Sequence, residues 1–248
     1  MLKSLYYILT AAGNPLSFIK NVTQYPYFFS TYLKYKKTHR KQSETIRFRP
    51  ILTDRTSTTS FDAHYLYLGY WAFLKIAENK PDKHVDIGAQ LNWVAWLSTI
   101  IPVTFIDIRP FSGSLPTVES RKGSVLSMPF EDQSVLSLSC LHVAEHIGLG
   151  RYGDPLDGDG TYKTITELSR TLAPGGKLYF ATPVGVEMVC FNAHRISNPE
   201  RILRAFESNG LKLVEFSAVG DDGELHRNTL PERFSGSRYA CGMYELTR

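Results

Sequence analysis

The run Glu167-Leu168-Ser169-Arg170-Thr171-Leu172-Ala173-Pro174-Gly175-Gly176-Lys177-Leu178-Tyr179-Phe180-Ala181-Thr182-Pro183 constrains the fold more than any other stretch of this chain. Leu168 and Leu172 stand four apart, on one face of a helix. Pro174-Gly175-Gly176 breaks that helix, because proline has no amide to donate and glycine reaches turn conformations closed to other residues. Lys177 to Thr182 is apolar and aromatic, which predicts a strand, and Pro183 stops it.

Upstream, Val85-Asp86-Ile87-Gly88-Ala89-Gln90 reads as a strand entering a tight loop, and Val103-Thr104-Phe105-Ile106-Asp107-Ile108 as a strand with an acid at its end. Gly123-Ser124-Val125-Leu126-Ser127-Met128-Pro129-Phe130 forms a further loop. Ser134 to Cys140 is another strand, followed by Leu141-His142-Val143-Ala144-Glu145-His146-Ile147. Strands alternating with helices from Val85 to Thr182 imply parallel strands joined by right-handed crossovers. In this order the segments resemble class I S-adenosylmethionine-dependent methyltransferases. The resemblance implies an α/β fold, a doubly wound and mostly parallel Rossmann-like sheet of about seven strands whose last strand is antiparallel. At the carboxyl end, a helix over Pro199–Ser208 closed by Asn209-Gly210 precedes strands over 211–219 and 237–247.

Before the sheet, Ser60-Phe61-Asp62 marks a helix start, with Asp62 as cap, Leu66, Tyr70, Phe73, Leu74 and Ala77 at helical spacing, and Pro81 as the end. Residues 1–50 form a basic, aromatic extension to a methyltransferase-like domain over 51–248. The extension carries Lys3, Lys20, Lys34, Lys36, Lys37, Arg40, Lys41, Arg47 and Arg49 against Glu44 alone, interleaved with Tyr6, Tyr7, Phe18, Tyr25, Tyr27, Phe28, Phe29, Tyr32 and Tyr35. Such a segment suits a membrane surface; the alternative is an arm whose aromatics pack and whose lysines are solvated. The rest of the chain is slightly acidic although the net charge is +4, which argues against nucleic acid. Leu2–Ile19 is interrupted by Lys3, Gly13, Asn14 and Pro15, too polar for a span or a secretory signal. Three widely spaced cysteines, Cys140, Cys190 and Cys241, fit no disulfide framework and place the chain in a reducing cytosol, peripheral at the inner face of the membrane if the extension binds lipid.

Ligands of an open parallel sheet bind at the carboxyl ends of its strands. The resemblance therefore implies that S-adenosylmethionine is held by Asp86, Gly88 and Gln90 in the first loop, Asp107 on the ribose, Ser124 and Val125 near the adenine, and Cys140 at the end of the fourth strand. The first loop keeps one glycine where the family usually has two or three, and Ser124-Val125 stands where the family often has an acid. His142-Val143-Ala144-Glu145-His146 also matches the zinc-protease pattern His-x-x-Glu-His. No metal is expected there, because the segment follows a strand at the methyltransferase register.

Gly148 to Gly160 is rich in glycine and acids and reads as a mobile loop closing over an acceptor. Phe191-Asn192-Ala193-His194-Arg195-Ile196, with Phe61-Asp62-Ala63-His64-Tyr65 and Tyr239-Ala240-Cys241-Gly242, resembles a bacterial and nematode methyltransferase-like family of unknown function, from about Pro50 to the end. A base assists an alcohol acceptor in losing its proton, and His194, His146 and Asp154 are the candidates. The expected function is O-methylation of a sugar or glycan hydroxyl, the partner being a small-molecule or glycan acceptor. The alternative is a methyltransferase-fold binding or scaffold protein without catalysis.

Overall fold

The computed structural model describes residues 22–38 and 45–248. Lys3, Lys20, Arg40, Lys41, Glu44, Tyr6, Tyr7, Phe18 and the stretch 2–19 lie outside them. Among the described residues no helix is long and apolar enough to cross a membrane. The chain divides between Ser60 and Phe61 into two units, whereas the boundary expected from the sequence was at Pro50.

In the first unit, helix α1 (Tyr25–Thr38) has no buried residue. Its aromatics gather on Phe48, with ring centroids 4.8 Å away at Tyr32 and 5.9 Å away at Phe28.

The second unit opens with α2 (Ala63–Asn79). Asp62 caps it by accepting from the Tyr65 amide at 3.2 Å, and Lys80 ends it in a left-handed conformation just before Pro81. Then follow β1 (His84–Ile87), α3 (Leu91–Leu97), β2 (Val103–Asp107), β3 (Val118–Lys122), β4 (Val135–Leu141), α4 (Gly160–Thr171) and β5 (Leu172–Val184). A hairpin of β6 (Met188–Cys190) and β7 (His194–Ile196) precedes α5 (Pro199–Ser208), β8 (Lys212–Val219), β9 (Leu225–His226) and β10 (Ala240–Thr247).

Eight strands share one sheet in the order β3-β2-β1-β4-β5-β10-β8-β9. The first five are mutually parallel, and β10 inserts antiparallel between β5 and β8. The expected seven become eight because β9 is a two-residue edge strand, while β6 and β7 form a separate antiparallel pair. One cluster of buried side chains joins alternate sheet residues such as Val85, Leu138, Phe180 and Tyr244 to Ile165 and Leu168 of α4 and Ile202 and Phe206 of α5. The intervening residues, Phe105, Tyr179, Ala181 and Met243 among them, pack on Trp71 and Ile76 of α2 and Val94 of α3. The sheet therefore has helices on both faces.

The 167–183 run folds somewhat differently from its reading. α4 stops at Thr171 and β5 begins at once, so Pro174-Gly175-Gly176 bulges inside the strand between the Val135–Leu172 and Ser137–Lys177 pairings. Glu167 and Arg170 explain the polar half of the run. Glu167 accepts from the Met128 amide at 2.6 Å and pairs with Arg170, which reaches Asp132 at 2.6 Å and the Phe130 carbonyl at 3.0 Å. The last turn of α4 thereby fastens the stretch that leads from β3 into β4.

Candidate functional site

Chain order reverses at β1, with β2 on one side and β4 on the other, so the carboxyl ends of these strands open a crevice. Two adjoining cavities fill it, of about 430 Å³ and about 470 Å³. Gly88, His142, His146 and Tyr152 line both.

Gly88 sits at φ +62, a conformation that favours glycine. A Cβ there would stand 3.3 Å from Val143 and 3.6 Å from Asp107 Oδ2, in the space between the first loop and the end of β2. Asp107 lines the smaller cavity, and its Oδ1 accepts from the Arg109 amide at 2.7 Å. Ser124 and Val125 line the same cavity, the Ser124 hydroxyl accepting from the Leu126 amide at 3.1 Å. Gln90 lines the larger cavity.

Asp86 lines neither. Its carboxylate is fully buried and accepts from the Ala89 amide at 3.1 Å, Trp93 Nε1 at 3.2 Å and the Ser139 hydroxyl at 2.5 Å. Ser139 also bonds His84 Nε2 at 2.8 Å, and Ser137 bonds His84 Nδ1 at 2.7 Å. Burial raises Asp86 to about 6 and lowers His84 to about 3. The expected ligand contact of Asp86 is thus replaced by a supporting one, holding the first loop and α3 from beneath. Cys140 is corrected in the same way. It is wholly buried in the core on the α4 side, lines neither cavity, and burial pushes its thiol up.

Of the three candidate bases, His146 lies where the cavities meet and His194 on the wall of the larger one. His146 Nδ1 is 2.6 Å from the Ala193 carbonyl, which requires Nδ1 to carry the proton and leaves Nε2 with its lone pair. Burial lowers both histidines below the ordinary value, so both are neutral near pH 7. Asp154 lines the smaller cavity but is spoken for: it accepts from the Gly148 amide at 2.7 Å and the Tyr152 amide at 3.2 Å. Against the upward push of partial burial, these backbone donors hold it below the usual carboxylate range. It organises the Gly148–Gly160 loop instead of serving as a base. Arg195 ties that loop further, donating to the Ile147 carbonyl at 2.5 Å and the Asp157 carbonyl at 2.7 Å.

Several lining residues escaped the sequence reading of the site. His142 follows β4 at φ +57, rare for a residue with a Cβ. Its Nδ1 is 2.7 Å from Glu145 Oε1, and its Nε2 is 3.3 Å from Cys241 Sγ on β10. His64, in the first turn of α2, stacks on Tyr239 with ring centroids 5.0 Å apart. Tyr239 is held in place by Asp221, whose carboxylate accepts from the Arg238 and Tyr239 amides at 2.8 and 2.9 Å. The signal for these residues lay in the segments 61–65 and 239–242, which are far apart in sequence.

The comparisons with known proteins fit this geometry. N-methyltransferase NodS from Bradyrhizobium japonicum, solved with S-adenosyl-l-homocysteine, superposes with a TM-score of 0.52 at 13% identity, over 74% of this chain and 86% of that one. A Burkholderia thailandensis 1,6-didemethyltoxoflavin-N1-methyltransferase, bound to 1,6-didemethyltoxoflavin and S-adenosylhomocysteine, gives 0.51 at 13%, over 73% of this chain and 79% of its own. The chain has the class I methyltransferase fold. The [4+2]-cyclase SpnF shares it, at a TM-score of 0.52 and 13% identity, over 73% of this chain and 81% of that one. A methyltransferase fold is therefore not by itself a statement of the reaction. Residues 132–221 match the family described as Caenorhabditis protein of unknown function, DUF268, a narrower span than the resemblance from Pro50 onward. No curated protein matches the sequence.

Proposed function

We propose that the protein is an S-adenosylmethionine-dependent methyltransferase acting on a hydroxyl group, that of a sugar or glycan. The observation that carries this reading is the placement of Asp107, a carboxylate at the end of β2 that lines the smaller cavity beside Gly88. A carboxylate accepts hydrogen bonds from two neighbouring ribose hydroxyls, and the bare Cα of Gly88 leaves the room that a Cβ would take. Ser124 and Val125 would hold the adenine end, and Gln90 the end toward the larger cavity. The cofactor, when bound, supplies an electrophilic methyl group on a sulfonium.

The larger cavity then receives the acceptor. Its wall carries His64, Arg151, His194 and Tyr239, donors and acceptors suited to polyhydroxylated molecules. His146 Nε2, neutral and unprotonated, takes the hydroxyl proton. Glu145 Oε1, 3.8 Å from that nitrogen, stabilises the imidazolium that forms. His194 positions the acceptor beside it. Calorimetric titration with S-adenosylhomocysteine tests the reading. Saturable binding by the wild type that is weakened by Asp107→Ala supports it. Absence of heat favours the alternative, a binding module that has kept the fold and lost the cofactor.

The first unit supports a cytoplasmic enzyme held at the inner face of a membrane. α1 exposes Tyr25, Tyr27, Phe29, Leu33 and Tyr35 together with Lys34, Lys36 and Lys37, the combination that anchors interfacial helices to anionic lipid.

A further inference from the structure

Two side chains on the wall of the larger cavity and a third buried behind them come from distant parts of the chain. His64 comes from the first turn of α2, His142 from the end of β4 and Cys241 from β10. One ligand atom from each lies within 4.8 Å of the other two. From these positions we infer that His64, His142 and Cys241 bind a single zinc ion, with Glu145 orienting His142.

The donor set points to the metal. A thiolate with two imidazoles suits zinc, and three protein ligands with one open position is the arrangement of catalytic rather than structural zinc. Zinc–nitrogen and zinc–sulfur bonds of about 2.0–2.3 Å make a tetrahedron whose edges are about 3.3–3.7 Å. The His142 Nε2 to Cys241 Sγ separation of 3.3 Å already spans one such edge. His64 keeps a ring nitrogen within 4.8 Å of both and would have to close on the ion to complete the face.

The surroundings are those of metal ligands. A metal-bound histidine hands its second ring N–H to a carboxylate or a backbone carbonyl, which sets the tautomer. His142 Nδ1 meets Glu145 Oε1 at 2.7 Å, and the His64 ring is held by stacking on Tyr239. Glu145 is 2% exposed, and its Oε2 has no hydrogen-bond partner among the described residues. A buried carboxylate with an orphaned oxygen is costly unless positive charge faces it. His142 is held in a left-handed conformation, a strain that proteins keep at functional positions.

Two other readings of the same residues explain less. A Cys–His–Glu nucleophile needs a reachable sulfur, but Cys241 is fully buried and does not line the cavity, while an ion lodged among the three ligand atoms needs no such access. The His-x-x-Glu-His pattern would pair His142 with His146. Residues Ala144–His146 form only a 3-10 turn, and His146 Nδ1 is committed to the Ala193 carbonyl.

On binding, the Cys241 S–H bond is replaced by a sulfur–zinc bond and the proton leaves to solvent, so affinity falls as pH drops. The fourth position opens to the cavity through His64 and His142, both of which line it. A water or hydroxyl held there is acidified by the ion. The ion would border the cavity assigned to the acceptor, but its binding does not require methyl transfer.

Cobalt(II) titration of the full-length, chelator-treated protein tests it. The expected result is one equivalent bound, with the thiolate-to-cobalt charge-transfer band and the strong visible bands of a tetrahedral site. Cys241→Ser should abolish the charge-transfer band. His64→Asn, at a half-buried position on the cavity wall, should weaken binding at least about tenfold, and Glu145→Gln about 10–100-fold. His146→Ala should bind as the wild type does. Circular dichroism confirms that each variant is folded, and His64→Asn keeps the test open should Cys241→Ser not fold. A folded wild type that shows no charge-transfer band overturns the inference. So does loss of binding in His146→Ala with His64→Asn unaffected.

Discussion

The hydroxyl of Ser139 on β4 donates to Asp86 Oδ2 on β1 across 2.5 Å, deep beneath the first loop. Through it the carboxylate joins His84, and the two titrate in opposite senses. Asp86, raised to about 6 by burial, keeps in the folded state a proton that the unfolded chain releases near pH 4. Its contribution is full below about pH 4 and is lost as pH rises through about 6. His84, lowered to about 3, is neutral in the folded state while the unfolded chain takes up a proton near pH 6.5. Its contribution is full above about pH 6.5 and is lost as pH falls.

Between about pH 4 and 6 the contributions of these two groups therefore offset each other. Asp86→Asn removes one side of the balance. Relative to the wild type, its stability should rise with pH across that window by up to about 1.4 kcal/mol per unit, on top of a general loss of about 1–3 kcal/mol from placing an amide where three donors converge. Urea unfolding at several pH values measures both. Parallel curves for the two proteins would mean that Asp86 is ionised throughout.

Asp107→Ala should cost about 1–3 kcal/mol of S-adenosylhomocysteine affinity, because the ribose hydroxyls lose their acceptor. Its fold should be nearly untouched, since the side chain's bonds are local, to the Arg109 amide and, at 3.9 Å, the exposed Arg109 guanidinium. Calorimetry gives the first number and thermal unfolding checks the second. Equal affinities would remove Asp107 from the cofactor site.

His146→Ala should lower turnover by about 10²–10⁴ with cofactor affinity nearly unchanged, as expected on removing a general base. Because burial lowers its pKa, the neutral form persists below pH 6.5. The acid limb of the rate profile should accordingly have a midpoint below that of free histidine and vanish in the variant. His194→Ala should raise KM more than it lowers kcat. The reverse ranking would make His194 the base.

Gly148 and Gly153 have similar backbone angles, φ +78 and +81, but different surroundings. A Cβ on Gly148 would lie 2.2 Å from the Asp157 carbonyl, while one on Gly153 meets nothing within 4 Å. Gly153→Ala should cost only the conformational strain, about 1 kcal/mol, and Gly148→Ala distinctly more, with loss of the Asp154-centred loop. Equal melting temperatures for the two would show that the loop yields freely.

Full-length protein should float with anionic vesicles at low salt and be released at high salt, each engaged Lys or Arg contributing about 1 kcal/mol before screening. A chain starting at Phe61 should stay at the bottom. If both remain there, the extension is a structural arm.

Much of the architecture was legible because its determinants are local. Asp62 before an apolar stripe, Pro199 at a helix start, Gly210 after its end and Asp107 closing an apolar strand each express a preference that needs few neighbours. Their order along the chain was enough to recognise the fold. The Pro174-Gly175-Gly176 bulge was misread as a turn because proline and glycine signal a break in helix without saying whether the strand has already begun.

The sequence by itself determined the alternation of strands and helices, the crevice at the carboxyl ends of β1, β2 and β4, and the presence there of Gly88, Asp107 and His146. Only the tertiary structure decided which side chains face that crevice. Adjacent strand residues point to opposite faces of the sheet, and nothing in the local sequence says that Asp86 and Cys140 turn into the protein. The meeting of His64, His142 and Cys241 is further still from view. It depends on β10 inserting beside β5 and on α2 crossing the same end of the sheet, so three residues from distant segments become neighbours only when the whole sheet has closed.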